Sequence, residues 1–203
     1  MSIYTYQNDL PTDFLANKEL AIDTETMGLN TLRDRLCLVQ ISNGDGDAHL
    51  VQFDGKNYDA PNLKKILLDQ NIIKIFHYAR FDIAALEYYL NIKMFNFYCT
   101  KIASKLTRTY TDFHGLKELC NELVGVNLSK AQQSSNWSSE ELSHAQKKYA
   151  AQDVLYLHEI KSKLDLMLEK ADRTDLAQNC FDFLSTRVKL DLKGWSSIDI
   201  FKH

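Results

Sequence analysis

"AIDTETMGLN", residues 21–30, is an apolar approach that ends in two acids one residue apart. Asp23 and Glu25 occupy alternate positions, so in a strand both side chains leave the same face. Carboxylates placed side by side at the end of a buried strand repel each other and lose hydration unless a cation lies between them. The pair therefore reads as a metal site at the edge of a core, carried by the strand "KELAIDTE".

Outward from that strand, "RLCLVQIS" and "AHLVQF" alternate as two further strands, joined by "NGDGD". That loop is acidic, but it lacks the spacing and the late Glu of a calcium-binding loop. Its Asn-Gly and Asp-Gly pairs mark a hairpin turn instead. From residue 61 the rhythm changes. "PNLKKILLDQ" predicts a helix with Pro near its first turn, "IIKIF" a short strand, "RFDIAALEYYL" an amphipathic helix and "KMFNFY" a last strand. Helices follow over 99–109, 114–124, 139–170 and 173–189, with the polar stretch "GVNLSKAQQSSNW" (125–137) as a loop. A three-strand meander, then alternating helix and strand, then helices alone, predicts an α/β fold with a mixed five-stranded sheet and a helical C-terminal half.

The 203 residues suit one domain, 1–203, and seven Gly with two Pro argue against long linkers. The start, "SIYTYQNDLPTDF", shows no signal peptide, and no stretch approaches the ~20 apolar residues of a membrane span. Cys37, Cys99, Cys120 and Cys180 are too scattered for a zinc ribbon and read as reduced thiols, which implies a cytoplasmic protein. A net charge of −3 leaves no extended basic stripe for tracking along nucleic acid. Any phosphate chemistry must lean on metal ions in a compact site, which favours short substrates.

Two more acids stand where folding alone does not require them. Asp82, in "FHYARFD", falls in the opening turn of a helix, where it could simply complement the helix dipole. Asp153, in "YAAQDVLYL", could be a solvated acid, but it lies next to the stripe of Leu155, Tyr156, Ile160 and Leu164. Tyr149 is four residues earlier, on the same helical face as Asp153. Taken alone it reads as a core tyrosine. Four acids and a tyrosine in this order are far less easily explained by folding.

In that order, "DTE" at 23–25, Asp82 in "HYARFD" and "YAAQD" at 149–153 resemble the three motifs of the DEDD exonucleases, in the tyrosine-containing branch. "CTKIASKL", "HGLKELCNELVGVNLSK" and "SSNW" extend the likeness to ribonuclease D catalytic domains, closest to the short alphaproteobacterial nanoRNase C type, over nearly the whole chain. The helical RNA-binding domains that follow the catalytic domain in ribonuclease D find no counterpart in this sequence. The resemblance implies a ribonuclease H-like fold. It also implies a 3′→5′ exoribonuclease that converts short RNA, down to dinucleotides, to nucleoside 5′-monophosphates. Alternatives are broader action on longer RNA or single-stranded DNA, and a non-catalytic RNA-binding module. A phosphatase of the DxD type fits badly, because Glu25 stands where a second Asp belongs.

By the same resemblance, Asp23, Glu25, Asp82 and Asp153 would hold two divalent cations, Mg²⁺ or Mn²⁺. Asp23 would bridge both, Glu25 and Asp153 complete the first site and Asp82 the second, with the Tyr149 hydroxyl orienting the attacking water. Leu29 falls where dinucleotide-specific relatives place a wedge between bases. Thr24, Thr26, His77 and Tyr78 are further substrate-contact candidates. Lys101, Lys105 and Arg108 form an acid-free run, either a solvated face or, at Arg108, a cap for a substrate 5′ phosphate. The tail 190–203, with Leu190, Leu192, Trp195, Ile198, Ile200 and Phe201, is apolar enough to dock on its own domain or on a neighbouring subunit. Nanoribonuclease relatives imply a homo-oligomer, a ring-like octamer.

Overall fold

The computed structural model describes residues 1–129, 132 and 134–202. The five predicted strands form, and a sixth joins them at one edge. In chain order they are β1 (Ile3–Gln7), β2 (Glu19–Thr26), β3 (Leu36–Ser42), β4 (Ala48–Gln52), β5 (Ile73–Phe76) and β6 (Phe97–Cys99). The sheet order is β1-β4-β3-β2-β5-β6. β2, β3 and β4 pair antiparallel, while β1 on β4, β5 on β2 and β6 on β5 are parallel. The "NGDGD" hairpin joins β3 to β4 as read, with Gly44 and Gly46 at positive φ, where glycine carries no steric cost.

β3 is buried along its whole length, as a central strand covered on both faces must be. One face contributes to the main core, which includes Ile22, Val39, Ile41 and Ile75. The other builds a smaller core from Cys37, Leu38, Leu50, Trp137, Leu142 and Ala150.

The helices are α1 (Pro61–Leu68), α2 (Ala79–Leu90), α3 (Thr100–Thr107), α4 (Leu116–Leu119), α5 (His144–Leu155), α6 (Leu157–Lys170) and α7 (Thr174–Leu190). α4 widens into a π-turn over Cys120–Val124 that closes on Gly125. The single helix expected over 139–170 is corrected to two that begin later. Ser143 forms a capping box with Gln146, which fixes the start of α5. The carbonyls of Ser139 and Glu140 instead accept from the Gln52 side chain. Tyr156, at φ −105° and ψ −4°, separates α5 from α6. The predicted loop 125–137 is irregular where described; residues 130, 131 and 133, which that reading included, lie outside the described residues.

Beyond α7 the chain makes a wide turn over Asp191–Trp195 and folds back on α2. Arg80 grips Asp191 with two bonds, of 2.6 and 2.9 Å, and donates to the Ser196 carbonyl. Arg187 bonds the same carboxylate and the Trp195 carbonyl. Trp195, Ile198, Ile200 and Phe201 nonetheless stay exposed. No described helix is long and apolar enough to cross a membrane.

Candidate active site

β2 is the central plank of the site. Its pairing with β5 stops at Ala21, opposite Ile75, whereas its pairing with β3 runs on to Thr26. Asp23 and Glu25 therefore lie beyond the end of β5, where the flank of β2 opens toward α2. A bulge between Glu25 and Thr26 then turns the chain out of the sheet, a common device beside functional sites.

Asp82, in the first turn of α2, fills the gap that β5 leaves. It is buried, and its carboxylate accepts from the Thr24 hydroxyl at 2.7 Å. A side chain thus occupies the space beside β2 that β5 no longer fills. Asp153 arrives from α5, which packs on β2, β3 and β4. Oxygens of Asp23, Glu25 and Asp153 lie within 4.8 Å of one another. Tyr149 is one turn earlier on α5, and its ring is 6.0 Å from that of Trp137.

All four acids are held in an environment that opposes their ionisation. Burial pushes Asp23 up to about 7. Burial and the neighbouring charges of Asp23, Asp153 and Asp82 push Glu25 up to about 10. Asp82 and Asp153 are raised well above the carboxylate range, by burial first and by Asp23 second. Gln40 donates to Asp23 at 3.2 Å, and no lysine or arginine among the described residues pairs with any of the four. Clustered, partly buried oxygens that no cation of the described chain pairs with match the donor set of a hard divalent ion. The residues fit the implied metal.

Together with Tyr149, His77, Lys101, Leu116, Lys117 and Leu128, three of the acids line a cleft of about 320 Å³. His77 Nδ1 stands 2.8 Å from the Thr100 hydroxyl, and burial with nearby Lys101 lowers the imidazole to about 3, so it is neutral. Burial and the adjacent carboxylates raise the Tyr149 hydroxyl above its ordinary value, so it stays protonated.

The other predicted contacts are more dispersed. Thr24 serves Asp82, and Thr26 closes the turn by donating to the Gly28 carbonyl at 2.5 Å. Leu29, 88% exposed, follows that turn and lines a separate hollow with Leu32 and the tail. Tyr78 faces a cavity next to the cleft. The reading of Arg108 as a phosphate cap is corrected: its side chain is buried and bound to Glu122, the Phe113 carbonyl and the Ser104 hydroxyl. Sequence reasoning passed over Gln40, although a polar residue in mid-strand and in register with Asp23 was a usable signal. Lys101 was noticed but set aside in favour of Arg108.

Comparison with known proteins agrees with this geometry. A family profile described as 3′-5′ exonuclease matches residues 5–169. The NrnC of Brucella melitensis, solved bound to pGG, is 54% identical with a TM-score of 0.96, over 100% of this chain and 99% of that one. The same protein with bound Mg²⁺ is 53% identical with a TM-score of 0.95, over 100% of both chains. Ribonuclease D of a Jannaschia species is 31% identical over 158 residues, 76% of this chain and 41% of that protein. The chain spans about two-fifths of the length of such curated relatives.

Proposed function

This chain belongs to the 3′-5′ exonuclease family, in its ribonuclease D-like, tyrosine-containing branch, and on that premise we propose that it hydrolyses short RNA from the 3′ end, down to dinucleotides. The products are nucleoside 5′-monophosphates. The observation that carries this reading is the meeting of Asp23, Glu25 and Asp153 in one cleft, with Tyr149 on its wall and no ion pair from a described lysine or arginine to any of the three. The pGG ligand of the Brucella relative and the net charge of −3 support a short substrate.

Asp23, Glu25 and Asp153 would hold one divalent cation, Mg²⁺ or Mn²⁺, and Asp82 with Asp23 a second. Bound there, such ions supply an acidified water and charge stabilisation for the departing 3′ oxygen. The chain's own groups supply the geometry. Gln40 fixes the Asp23 carboxylate, and Thr24 fixes Asp82. The Tyr149 hydroxyl, kept protonated, donates a hydrogen bond that aims the water in line with the scissile bond. His77, kept neutral, borders the substrate without adding charge.

The protein acts in the cytoplasm as a homo-oligomer, an octamer of the ring type. The exposed Trp195, Ile198, Ile200 and Phe201 favour burial against further copies, and a monomeric mass by light scattering would remove that part of the reading. The activity is tested with a 5′-labelled ribodinucleotide and Mg²⁺. Wild type releases labelled mononucleotide and Asp153→Asn does not; an inert wild type, or a fully active variant, ends the proposal. A length series run as RNA and as DNA measures how far cleavage extends.

A further inference from the structure

Among the described residues none bonds the Tyr149 hydroxyl, so its direction is set by how the ring is packed. That direction matters, because a misplacement of about 1 Å near the reacting atoms can cost roughly 100-fold in rate. The aromatic neighbour of the ring is Trp137, 6.0 Å away between centres and tilted by 38°. Trp137 belongs to "SNWSS", residues 135–139, which precede α5 and form neither helix nor strand. It is 4% exposed, while Asn136 and Ser138 on either side of it are not buried. It enters the smaller core beside Leu38, Leu50 and Ala150. Its indole N–H is buried and meets no acceptor there. A buried tryptophan ordinarily satisfies that group, and an unpaired donor is unfavourable. The side chain is retained for what its ring touches.

The segment that carries Trp137 is gripped from two sides. From the sheet, Gln52 at the end of β4 donates to the carbonyls of Ser139 and Glu140, at 2.8 and 3.2 Å, and Arg35 to that of Ser138 at 3.5 Å. From the helix, Gln146 Nε2 donates to the Asn136 carbonyl at 3.1 Å and to the Ser135 hydroxyl at 3.3 Å. The Oε1 of the same side chain accepts from the Ser143 backbone N–H at 3.0 Å, which closes the capping box of α5. One amide therefore has two tasks: its oxygen starts the helix and its nitrogen holds the loop. Gln146 lies three residues before Tyr149, on the same helical face. The contacts form a closed circuit, from Gln146 to Asn136, from Trp137 to Tyr149, and back along α5.

We infer that the 135–139 loop positions the Tyr149 hydroxyl, with Trp137 bracing the ring and Gln146 Nε2 holding Trp137 in place. Neither residue lines the acidic cleft, so both act through the tyrosine. The effect on rate rests on the exonuclease reading; the set of the ring does not.

Two measurements test it. Gln146→Glu separates the two tasks, because glutamate keeps the oxygen that caps the helix and loses the nitrogen that holds the loop. In the first measurement, kcat and KM are taken with a ribodinucleotide and Mg²⁺. Trp137→Phe should lower kcat by roughly ten-fold with KM nearly unchanged, and Gln146→Glu should lower it in the same sense. Neither should lower kcat further in a Tyr149→Phe background, since each acts through the hydroxyl already removed. The same fold loss in both backgrounds, or wild-type kcat for both variants, overturns the inference. The second measurement uses neither metal nor substrate. In protein with ¹³C-labelled tyrosine, the resonance missing from Tyr149→Phe identifies the ring. Gln146→Glu should broaden or double that resonance, as the released ring samples further orientations, and leave the other tyrosines sharp. One sharp Tyr149 resonance in Gln146→Glu, wherever it falls, overturns the inference. A released ring beside an inert wild type would end the exonuclease reading alone.

Discussion

Buried charges in this protein fall into two groups that the fold treats in opposite ways. Lys74 and Arg108 are fully enclosed, yet the chain provides for both. The Lys74 ammonium is bonded to the carbonyls of Asp69 and Phe95, and Arg108 to a carboxylate, a carbonyl and a hydroxyl. Of the acids of the cleft, Asp82 is as deeply placed while Asp23, Glu25 and Asp153 are partly buried, and the four receive only the amide of Gln40 and the hydroxyl of Thr24. Burial does not separate structure from function here. What separates them is whether the chain supplies the counter-charge or leaves it to a ligand.

The largest effect should come from Asp153→Asn. Even groups that only support a metal ligand change activity by 10–100-fold, so loss of a ligand should reduce kcat/KM by at least about 100-fold. The same change removes a repelling charge, so the metal-free variant should melt above wild type in a thermal scan with chelator. A lower melting temperature would mean that Asp153 has a partner in the chain after all. Tyr149→Phe should lower kcat by roughly 100-fold with little change in KM, as removal of one positioned hydroxyl does. A shift in KM alone would make the tyrosine a binding contact.

Arg108→Ala sharpens the other side of the comparison. It should cost about 2–3 kcal/mol by urea unfolding, below the ~3–5 kcal/mol of a fully buried pair because Glu122 is half open to water. Its kcat per folded molecule should stay at the wild-type value. The smallest effect is in pH. A carboxyl whose folded value lies above its ordinary one stabilises the protein below that ordinary value and loses the contribution as pH rises toward the folded one. Metal-free protein should therefore lose stability from about pH 4 to about 7 through Asp23, and further toward about 10 through Glu25. Mg²⁺ should raise the melting temperature by a few degrees more at pH 8 than at pH 5. Equal shifts at both values would show that the acids are not what the ion meets.

The site was more legible in the sequence than its surroundings. Asp23 and Glu25 could be picked out because their chemistry conflicts with their local context; Asp82, Tyr149 and Asp153, each explicable alone, stood out only through their order along the chain and the resemblance to exonuclease motifs. What depends on distant partners was not. β1 is five residues long and gains its place only by pairing with β4 some 45 positions later. Arg108 reads as one more surface cation until Glu122, fourteen residues on, closes over it. The late start of α5 depends on Gln52 claiming carbonyls that a longer helix would have used. The bond between Thr24 and Asp82 spans 58 residues and has no signature at either end.

That last contact also gives the centre of the molecule a reporter. The Thr24 hydroxyl is held by a carboxylate rather than by a neighbouring strand, so the chemical shift of the Thr24 methyl should follow the charge on Asp82 while the methyls of Ala21 and Ile22 follow the core. A Thr24 methyl signal that moves when Asp82 is replaced by Ala, with its neighbours unmoved, would let a single nuclear resonance signal read the state of the acidic end of the strand.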